Sequence, residues 1–278
     1  MKRAWLNKKV LRGKLMLSTH ERGLTLGDGL FETLAVRDGV ALWRFEHLER
    51  MRAAATQLGI PFPEDDVDNA IDGLVYRARG HHVLRLTLSR GEGGRGLAGE
   101  IKRPTLNGTL DPFDGHQRFQ AVRLATATVR RNLHSPAAHM KSLSYIDNVL
   151  AAREAAKAGA DDALMLNSAG RVACSSIANI FLETAGALVT PSLAEGILPG
   201  VMRAAVIRAA KDLGIAIREK QVRPADAAGA DGLFLTNSLR FIRPVVGLDG
   251  KRYAPRSKIV DRLIGALLDA ETEQLVLS

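Results

Sequence analysis

Apolar runs alternate with helical patterns along this chain, and the alternation constrains its fold more than any other feature. Short apolar runs predict strands, whereas apolar residues spaced three and four apart predict helices. Beyond residue 118 the sequence predicts strands at 119–125, 163–167, 177–183, 188–190, 215–218 and 233–236, and helices at 144–158, 201–213 and 256–271. In the first of these helices the predicted apolar face consists of Ile146, Val149, Leu150 and Ala156. This order is typical of an α/β or α+β fold.

The first part of the chain carries similar signals. Asp38-Gly39 lies between two apolar runs, which predicts a β-hairpin. The spacing of apolar residues predicts helices over 45–58 and over 64–79. A strand pair is predicted near the N-terminus, at 4–6 and 15–17.

A domain boundary is predicted where the regular pattern stops. The stretch 100–118 contains prolines and glycines and shows no clear period. We interpret it as an interdomain connection. The prediction is a small N-terminal α/β domain over 1–117, which includes the connection, and a larger C-terminal domain over 118–278.

Composition narrows the class of protein. The 278 residues contain one cysteine, Cys174, which excludes an intrachain disulfide and a cysteine-rich metal site and makes a cytoplasmic location the expectation. No apolar run approaches the roughly 18 residues of a membrane span. The formal net charge is +9, but the basic residues are scattered. We therefore expect no membrane and no nucleic acid as partner, and attraction of an anionic small molecule instead.

A glycine-rich stretch offers a first candidate site. Gly91-Glu92-Gly93-Gly94-Arg95-Gly96 follows a predicted strand and fits the G-x-G-x-x-G pattern of dinucleotide-binding loops. No helix is predicted directly after it, so it fails as a dinucleotide fingerprint. Two interpretations remain, a mobile loop that presents Arg90 and Arg95 to an anion and a surface loop with solvated arginines.

Two further segments have the chemistry of a phosphate site. Gly200 precedes a predicted helix that begins with Val201 and Met202, and the free N–H groups of a helix start suit a phosphate. The segment Thr236-Asn237-Ser238 comes at the end of a predicted strand and could supply N–H and hydroxyl groups to the same phosphate. Many helix starts and polar loops bind nothing, so each segment also has a purely structural reading.

Single residues are equally ambiguous when they are taken alone. Lys141 lies between Met140 and Leu143, and partial desolvation would make its amine a better nucleophile, although an exposed lysine with a buried stem fits as well. Arg50 lies one turn after Glu46, which is the spacing of an exposed helical ion pair.

The order of the motifs along the chain resolves these alternatives. It runs Gly27-Asp28-Gly29-Leu30-Phe31-Glu32-Thr33, His47-Leu48-Glu49-Arg50, Ser89 to Gly96, Lys141 to Tyr145, Ser176 to Phe181, Gly200-Val201-Met202-Arg203, and Asn237-Ser238 with Arg243-Pro244-Val245. In this order, from about residue 20 to 250, the chain resembles the class IV (fold type IV) pyridoxal 5′-phosphate (PLP) enzymes. The family contains branched-chain and D-amino-acid aminotransferases and 4-amino-4-deoxychorismate lyase.

The resemblance implies a role for individual residues. It assigns a Schiff base with PLP to Lys141 and a grip on the cofactor phosphate to Arg50. Substrate-pocket positions match Phe31 and Arg95, and the arginine is expected to take a carboxylate. The remaining positions matched to the cofactor site are Tyr145 near the ring hydroxyl, Val201 and Met202 at the phosphate helix, and Asn237 and Ser238 in a second phosphate loop. A two-domain fold with the cofactor between the domains, and a homodimer, are also implied.

One residue departs from the family pattern. Cys174 stands where the family carries a glutamate that pairs with the pyridine nitrogen of the cofactor, and a thiol does not keep that nitrogen protonated. Together with Ser-Arg-Gly at 89–91 and Gly-Val-Met-Arg at 200–203, this favours a lyase that converts 4-amino-4-deoxychorismate to 4-aminobenzoate and pyruvate. The alternatives are a D-amino-acid or branched-chain aminotransferase, and a PLP-binding protein with little catalysis.

Overall fold

The computed structural model describes residues 3–12, 14–94, 96–99 and 103–277, with only the backbone for Arg12. Within these residues the chain forms fifteen β-strands and seven α-helices. They make two compact units. Unit 1 comprises Met1–Gly115, Met140–Ser144 and Gln274–Ser278, and unit 2 comprises His116–His139 and Tyr145–Glu273. The predicted mixture of strands and helices is confirmed.

Unit 1 is an antiparallel sheet with two longer helices packed against it. The strands are β1 (Arg3–Leu6), β2 (Lys9–Arg12), β3 (Gly29–Arg37), β4 (Val40–Ala41), β5 (His81–Ser89) and β6 (Thr105–Pro112), and the helices are α1 (Arg22–Thr25), α2 (Arg44–Leu58) and α3 (Glu64–Val75). Across the described residues the sheet has the order β2-β1-β6-β5-β3-β4. Its core joins Leu34, Leu84 and Leu86 of the sheet to Met51 and Ile71 of the helices.

The predicted hairpin and the first predicted helix are confirmed. Asp38 and Gly39 have positive φ angles of 49° and 90°, so a tight turn joins β3 to β4. Helix α2 ends where Gly59 adopts the left-handed conformation. Helix α3 ends at Val75, four residues earlier than predicted.

Two predictions for unit 1 are wrong. The second strand of the N-terminal pair is β2 rather than 15–17, because Asn7 and Lys8 adopt positive φ angles and close a two-residue turn. The stretch 100–118 is not a plain connection, because β6 lies inside it and pairs with β1 and β5. Gly108 permits this, since a Cβ there would lie 2.8 Å from Leu74 of α3.

Unit 2 holds a second, mixed sheet. The strands are β7 (Val122–Arg131), β8 (Asp162–Asn167), β9 (Val172–Ser175), β10 (Asn179–Thr184), β11 (Ala187–Pro191), β12 (Ile217–Lys220), β13 (Gly232–Asn237), β14 (Phe241–Leu248) and β15 (Lys251–Arg252). The helices are α4 (Ile146–Lys157), α5 (Val201–Asp212), α6 (Pro224–Gly229) and α7 (Lys258–Val276). The order is β12-β11-β10-β13-β14-β7-β8-β9, with β15 beside β14.

The predicted start and apolar face of α4 are wrong. The helix begins at Ile146 rather than Ser144, and no side chain caps it. Its buried side chains include Ala151 and Ala155, which are small enough to let the helix lie close to the sheet, whereas Ile146, Val149 and Leu150 are exposed by 40% or more.

No helix among the described residues combines the length and the apolar character that crossing a membrane requires.

Candidate functional site

A short segment brings Lys141 to the first residues of β3. The N–H of Phe31 donates to the Lys141 carbonyl at 2.8 Å, and the N–H of Leu143 donates to the Gly29 carbonyl at 2.9 Å. Lys141 Nζ lies 4.3 Å from the centre of the Phe31 ring, and the guanidinium of Arg85 lies 3.9 Å from the same ring centre. Phe31 therefore makes cation–π contacts with both Lys141 and Arg85, and all three residues belong to unit 1. Two residues of the predicted site, Lys141 and Phe31, are neighbours.

The arginine predicted to grip a phosphate is held by a buried acid. Nε and Nη2 of Arg50 donate to the two carboxylate oxygens of Glu32 at 2.8 and 2.6 Å. Nδ1 of His47 lies 2.7 Å from Glu32 Oε2. Glu32 and His47 are almost completely buried, and Arg50 is partly buried. A bidentate pair of this kind fixes the plane of the guanidinium.

The charges of this cluster follow from its geometry. Burial by itself would raise the pKa of the Glu32 carboxyl, but the charge of Arg50 and the hydrogen bonds from His47 and Arg50 outweigh it and lower that pKa. Burial lowers the pKa of His47, and the charges of Arg50 and Lys141 lower it further against the opposing effect of Glu32. Glu32 is therefore an anion, and neutral His47 donates its Nδ1 proton to it. His47 Nε2 is buried without a hydrogen-bond partner among the described residues.

The structure tests the prediction for only one of the two arginines in the glycine-rich stretch. Arg95 lies outside the described residues, so its predicted contact with a substrate carboxylate stays a prediction. Arg90 is used inside the protein: Nε donates to Asp28 at 2.7 Å, and Nη2 donates to the Leu58 carbonyl at 2.7 Å. The Arg90 side chain thus binds a carbonyl at the C-terminal end of α2. The interpretation in which Arg90 binds an anion is therefore not supported.

In unit 2 the helix start at Val201 has no side-chain cap. Gly200 is the N-cap of α5. The side chains of Val201 and Met202 are buried, and backbone N–H groups point along a helix axis toward its N-terminus. A Cβ at Gly200 would lie 2.0 Å from Asn179 Oδ1, so a larger residue there would force the buried Asn179 side chain to move.

Strand register places the second predicted phosphate loop beside this helix start. Asn179 pairs with Thr236, the residue that precedes Asn237 and Ser238. Asn237 Oδ1 accepts from the N–H of Arg240 at 2.9 Å, which shapes the turn after β13. Thr236 Oγ1 is buried and has no partner among the described residues. The predicted pairs 201–202 and 237–238 thus come together, with an unused hydroxyl at the same end of the sheet.

Cys174 is a buried thiol in β9. It pairs with Met165 of β8 and is 6% exposed. Burial raises the pKa of the thiol, nearby Asp162 raises it further, and Arg131 opposes the shift. The thiol is therefore neutral at physiological pH. Tyr145, the remaining predicted residue, is the N-cap of α4 and is partly buried.

Sequence reasoning missed two residues of these clusters. Glu32 and His47 lie in quoted motifs but received no role. A usable signal exists for Glu32, because an acid inside the apolar run of β3 must find a buried partner. Nothing in the sequence shows that Thr236 keeps an unused hydroxyl, because that depends on which groups surround it.

Most of the chain matches one protein family. The family described as amino-transferase class IV matches residues 29–248. A relative from Methanocaldococcus jannaschii, provisionally named a branched-chain-amino-acid aminotransferase, is 34% identical over 255 residues, which is 89% of this chain and 88% of the relative.

Solved structures agree in fold. The 4-amino-4-deoxychorismate lyase from Pseudomonas aeruginosa is 32% identical, with a TM-score of 0.85 over 96% of this chain and 98% of that chain. A hypothetical aminotransferase from Mycobacterium tuberculosis, in its PLP-bound form, is 26% identical, with a TM-score of 0.86 over 96% of this chain and 98% of that chain.

Proposed function

The chain belongs to the class IV aminotransferase family, and from this premise we propose that it is a lyase that converts 4-amino-4-deoxychorismate to 4-aminobenzoate and pyruvate. The family is one of enzymes that use PLP in lyase or aminotransferase reactions, so a binding protein without catalysis is set aside. The observation that carries the choice of lyase is the neutral, buried thiol of Cys174. The 32% identical lyase from Pseudomonas aeruginosa supports the same choice.

The cofactor is PLP, and the residues present fit it. In unit 2 an uncapped helix start offers donors for a phosphate, and so does the Thr236 hydroxyl, which has no partner in the described part of the chain. In unit 1, Glu32 holds the guanidinium of Arg50 in a fixed plane, as the recognition of an oxyanion requires. In unit 2 we assign the phosphate to the N–H groups of Val201 and Met202 and to Asn237 and Ser238, with Tyr145 nearer the ring. Arg50 of unit 1 keeps the phosphate-binding role that the family resemblance implies.

Lys141 is the residue that would hold the cofactor aldehyde. Its carbonyl accepts from the N–H of Phe31 in β3, the nearby Leu143 N–H donates to the Gly29 carbonyl, and its Nζ lies against the Phe31 ring. When bound, PLP withdraws electrons from the carbon that bears the substrate amine. Once the substrate amine has released it, Lys141 Nζ would accept the proton from that carbon. The C–H electron pair would then form a ring double bond while the neighbouring C–O bond breaks, and the enolpyruvate that leaves with the C–O pair would take up a proton to become pyruvate. Phe31 orients the amine through the cation–π contact with its ring.

The thiol at position 174 favours elimination over amino-group transfer. Transfer needs a deep electron sink, since the carbanion must persist until it is reprotonated on the cofactor. Elimination needs less, because the departing group takes the electrons as soon as the proton leaves. A neutral thiol does not hold a proton on the ring nitrogen as a carboxylate would. We therefore place lyase activity first.

The second candidate is an aminotransferase for branched-chain or D-amino acids. It is favoured by the relative from Methanocaldococcus jannaschii, whose 34% identity slightly exceeds that of the lyase structure. The two activities differ in their need for a keto-acid acceptor, because only the aminotransferase requires one for continued turnover.

The test compares both reactions in one purified, PLP-loaded preparation. One sample receives 4-amino-4-deoxychorismate alone, and others receive D-alanine or L-leucine with 2-oxoglutarate. We expect 4-aminobenzoate and pyruvate in the first and little amino exchange in the others. Borohydride reduction followed by mass spectrometry should place the pyridoxyl group on Lys141, and Lys141→Ala should remove both the label and turnover. Fast exchange without lyase turnover would give first place to the aminotransferase.

A further inference from the structure

The segment 117–119 packs against the turn between β13 and β14. We call this turn, residues 237–241, the phosphate turn, because it contains the proposed phosphate residues Asn237 and Ser238. Both stretches belong to unit 2 and lie in the described part of the chain. None of the three residues 117–119 is a proposed cofactor position, although all three contact the turn.

The phosphate turn has an unusual backbone at its end. Asn237 pairs with Phe241 across the two strands. Asn237 Oδ1 accepts from the N–H groups of Leu239 and Arg240 at 3.2 and 2.9 Å. Phe241 has a φ angle of 58°, which few residues other than glycine adopt. Because such a backbone persists only where its surroundings hold it, the shape of the turn depends on what packs against it.

Segment 117–119 joins the turn through three kinds of contact. The N–H of Phe119 donates to the Arg240 carbonyl at 3.2 Å. Nη2 of Arg240 donates to Gln117 Oε1 at 3.2 Å. The rings of Phe119 and Phe241 meet edge to face, with their centres 5.8 Å apart and their planes at 83°. Backbone, side chain and ring thus hold the same end of the turn.

Arg118 links these contacts to helix α7. Its guanidinium lies 4.1 Å from the centre of the Phe241 ring and 5.2 Å from that of Phe119. Its Nη1 and Nη2 donate to the two carboxylate oxygens of Glu271 at 3.2 and 2.6 Å. The side chains of Arg118 and Glu271 are 10% and 1% exposed. A buried bidentate pair fixes the guanidinium, so the cation that contacts both rings has a set place.

We propose that Arg118 is a positioning residue of the phosphate turn, and that it sets the affinity for the cofactor phosphate by holding Phe241. Its Nη1 and Nη2 serve Glu271, so its role is indirect. A guanidinium combines a bidentate bond to a carboxylate with a planar face for aromatic rings, whereas the point charge of a lysine cannot serve both. Binding groups lose affinity when their supporting residues let them move. The inference rests on the proposed place of the phosphate, and it holds for a lyase and an aminotransferase alike.

Arg171 provides a matched control within unit 2. Its Nε and Nη2 donate to the two carboxylate oxygens of Glu195 at 2.5 and 3.3 Å, and Glu195 is 1% exposed. Arg118→Lys and Arg171→Lys therefore each replace an arginine that is bidentate on a buried glutamate. Only the first removes a guanidinium from the Phe241 ring. Phe241→Leu is a third variant, which removes the ring and leaves Arg118 in place.

The first experiment titrates the full-length, cofactor-free variants with PLP and with pyridoxal, which lacks the phosphate. We expect Arg118→Lys and Phe241→Leu each to weaken PLP binding by roughly tenfold and pyridoxal binding by less than about twofold. The double variant should bind PLP about as well as the weaker of the two single variants, because both changes break one contact. Arg171→Lys should leave the ratio of the two affinities at its wild-type value.

The second experiment reads the phosphate and the turn directly. In the PLP-loaded proteins, the phosphorus NMR resonance of the cofactor should shift in Arg118→Lys and stay at its wild-type position in Arg171→Lys. In the cofactor-free proteins, hydrogen–deuterium exchange on peptides that cover 237–241 should rise by about tenfold in Arg118→Lys and stay unchanged in Arg171→Lys.

Ser238→Asp separates the failure of this inference from that of the proposed function. A carboxylate in the turn should repel the phosphate and weaken PLP binding but not pyridoxal binding. An unchanged PLP affinity in Ser238→Asp would show that the phosphate lies elsewhere, which overturns the proposed phosphate assignment and the inference with it. If Ser238→Asp behaves as expected, the role of Arg118 alone is overturned by equal losses of PLP and pyridoxal binding in Arg118→Lys, by no loss, or by the same PLP loss in Arg171→Lys.

Discussion

At residue 174 a thiol occupies a buried position in a strand of unit 2, and its pKa is raised by burial. We expect Cys174→Glu to increase, by about tenfold or about 1.4 kcal/mol in barrier, the rate at which an amino acid passes its amino group to the bound cofactor. The physical reason is that a carboxylate stabilises a protonated ring nitrogen. Single-turnover absorbance of the cofactor with D- and L-amino acids measures this rate.

Cys174→Gln is the control for that prediction, because glutamine has nearly the size of glutamate but no charge. It should leave the transfer rate close to that of the wild type. Equal acceleration by glutamine and glutamate would show that the size of the side chain, and not its charge, controls the reaction. Fast transfer in the wild type would contradict the role assigned to the thiol.

Arg50 and Arg52 lie two residues apart on α2 and differ in surroundings. Arg50 is partly buried on Glu32, whereas Arg52 forms exposed ion pairs with Glu49 and Glu64. A contact between a charged donor and a phosphate contributes about 1.5–3 kcal/mol, and an exposed helical pair about 0.3–0.5 kcal/mol. We expect Arg50→Ala to weaken PLP retention by roughly tenfold or more and Arg52→Ala to leave it nearly unchanged.

Equilibrium dialysis of PLP against each variant measures that difference. Arg50→Ala also leaves Glu32 buried without its strongest partner, so Arg50→Lys is measured beside it to preserve the charge. Unfolding of the cofactor-free proteins separates a loss of stability from a loss of affinity. The same PLP affinity in the Arg50 and Arg52 variants would show that Arg50 forms a structural ion pair and does not bind the phosphate.

At the scale of elements, Glu32 ties strand β3 to helix α2 through His47 and Arg50. Its pKa is lower in the folded protein than in the unfolded chain, so its ionised form stabilises the fold at neutral pH. That contribution is complete above the ordinary glutamate pKa of about 4.3 and decreases as the pH falls below it. The lowered pKa of His47 acts in the same direction, because its protonation in the unfolded chain below about pH 6.5 favours unfolding.

We therefore expect Glu32→Gln to lower the free energy of unfolding by about 3 kcal/mol at pH 7, the cost of breaking a buried ion pair. The difference from wild type should shrink as the pH falls below about 4.3. Glu49→Gln, on the exposed face of the same helix, should cost no more than about 1 kcal/mol. Urea titrations at several pH values measure the free energy of unfolding of each protein. A difference between Glu32→Gln and wild type that does not change with pH would contradict the prediction.

At the scale of the whole molecule, the exposed apolar face of α4 suits the homodimer implied by the family resemblance. Ile146, Val149 and Leu150 lie at helical spacing and are each exposed by 40% or more. If a second copy covers this face, Leu150→Asp should place a charge in the interface and produce monomers. Lys157→Asp, on an exposed position of the same helix, should not.

Sedimentation velocity at micromolar concentration measures the oligomeric state of both variants. A wild-type monomer would refute the predicted dimer. If the wild type is a dimer and the Leu150→Asp variant is also a dimer, the interface lies on another surface.

Local chemistry explains what could be predicted from the sequence. The turn at Asp38-Gly39, the helix ended by Gly59 and the alternation of strands and helices depend on residues close together in the chain, and all are confirmed. The family was also recognisable, because the order of its motifs is a property of the chain itself. Lys141 and Arg50 were singled out on the same basis.

Only the tertiary structure decided which groups become partners. The Glu32–His47–Arg50 cluster, the contact of Lys141 with Phe31 and the use of Arg90 inside the protein join residues that are distant in sequence. The same reason explains the wrong predictions, because the exposed side of α4 and the place of β6 depend on what packs beside them. The spacing of apolar residues indicates where a helix or strand can form. Burial and charge pairing depend on neighbours that only folding brings together.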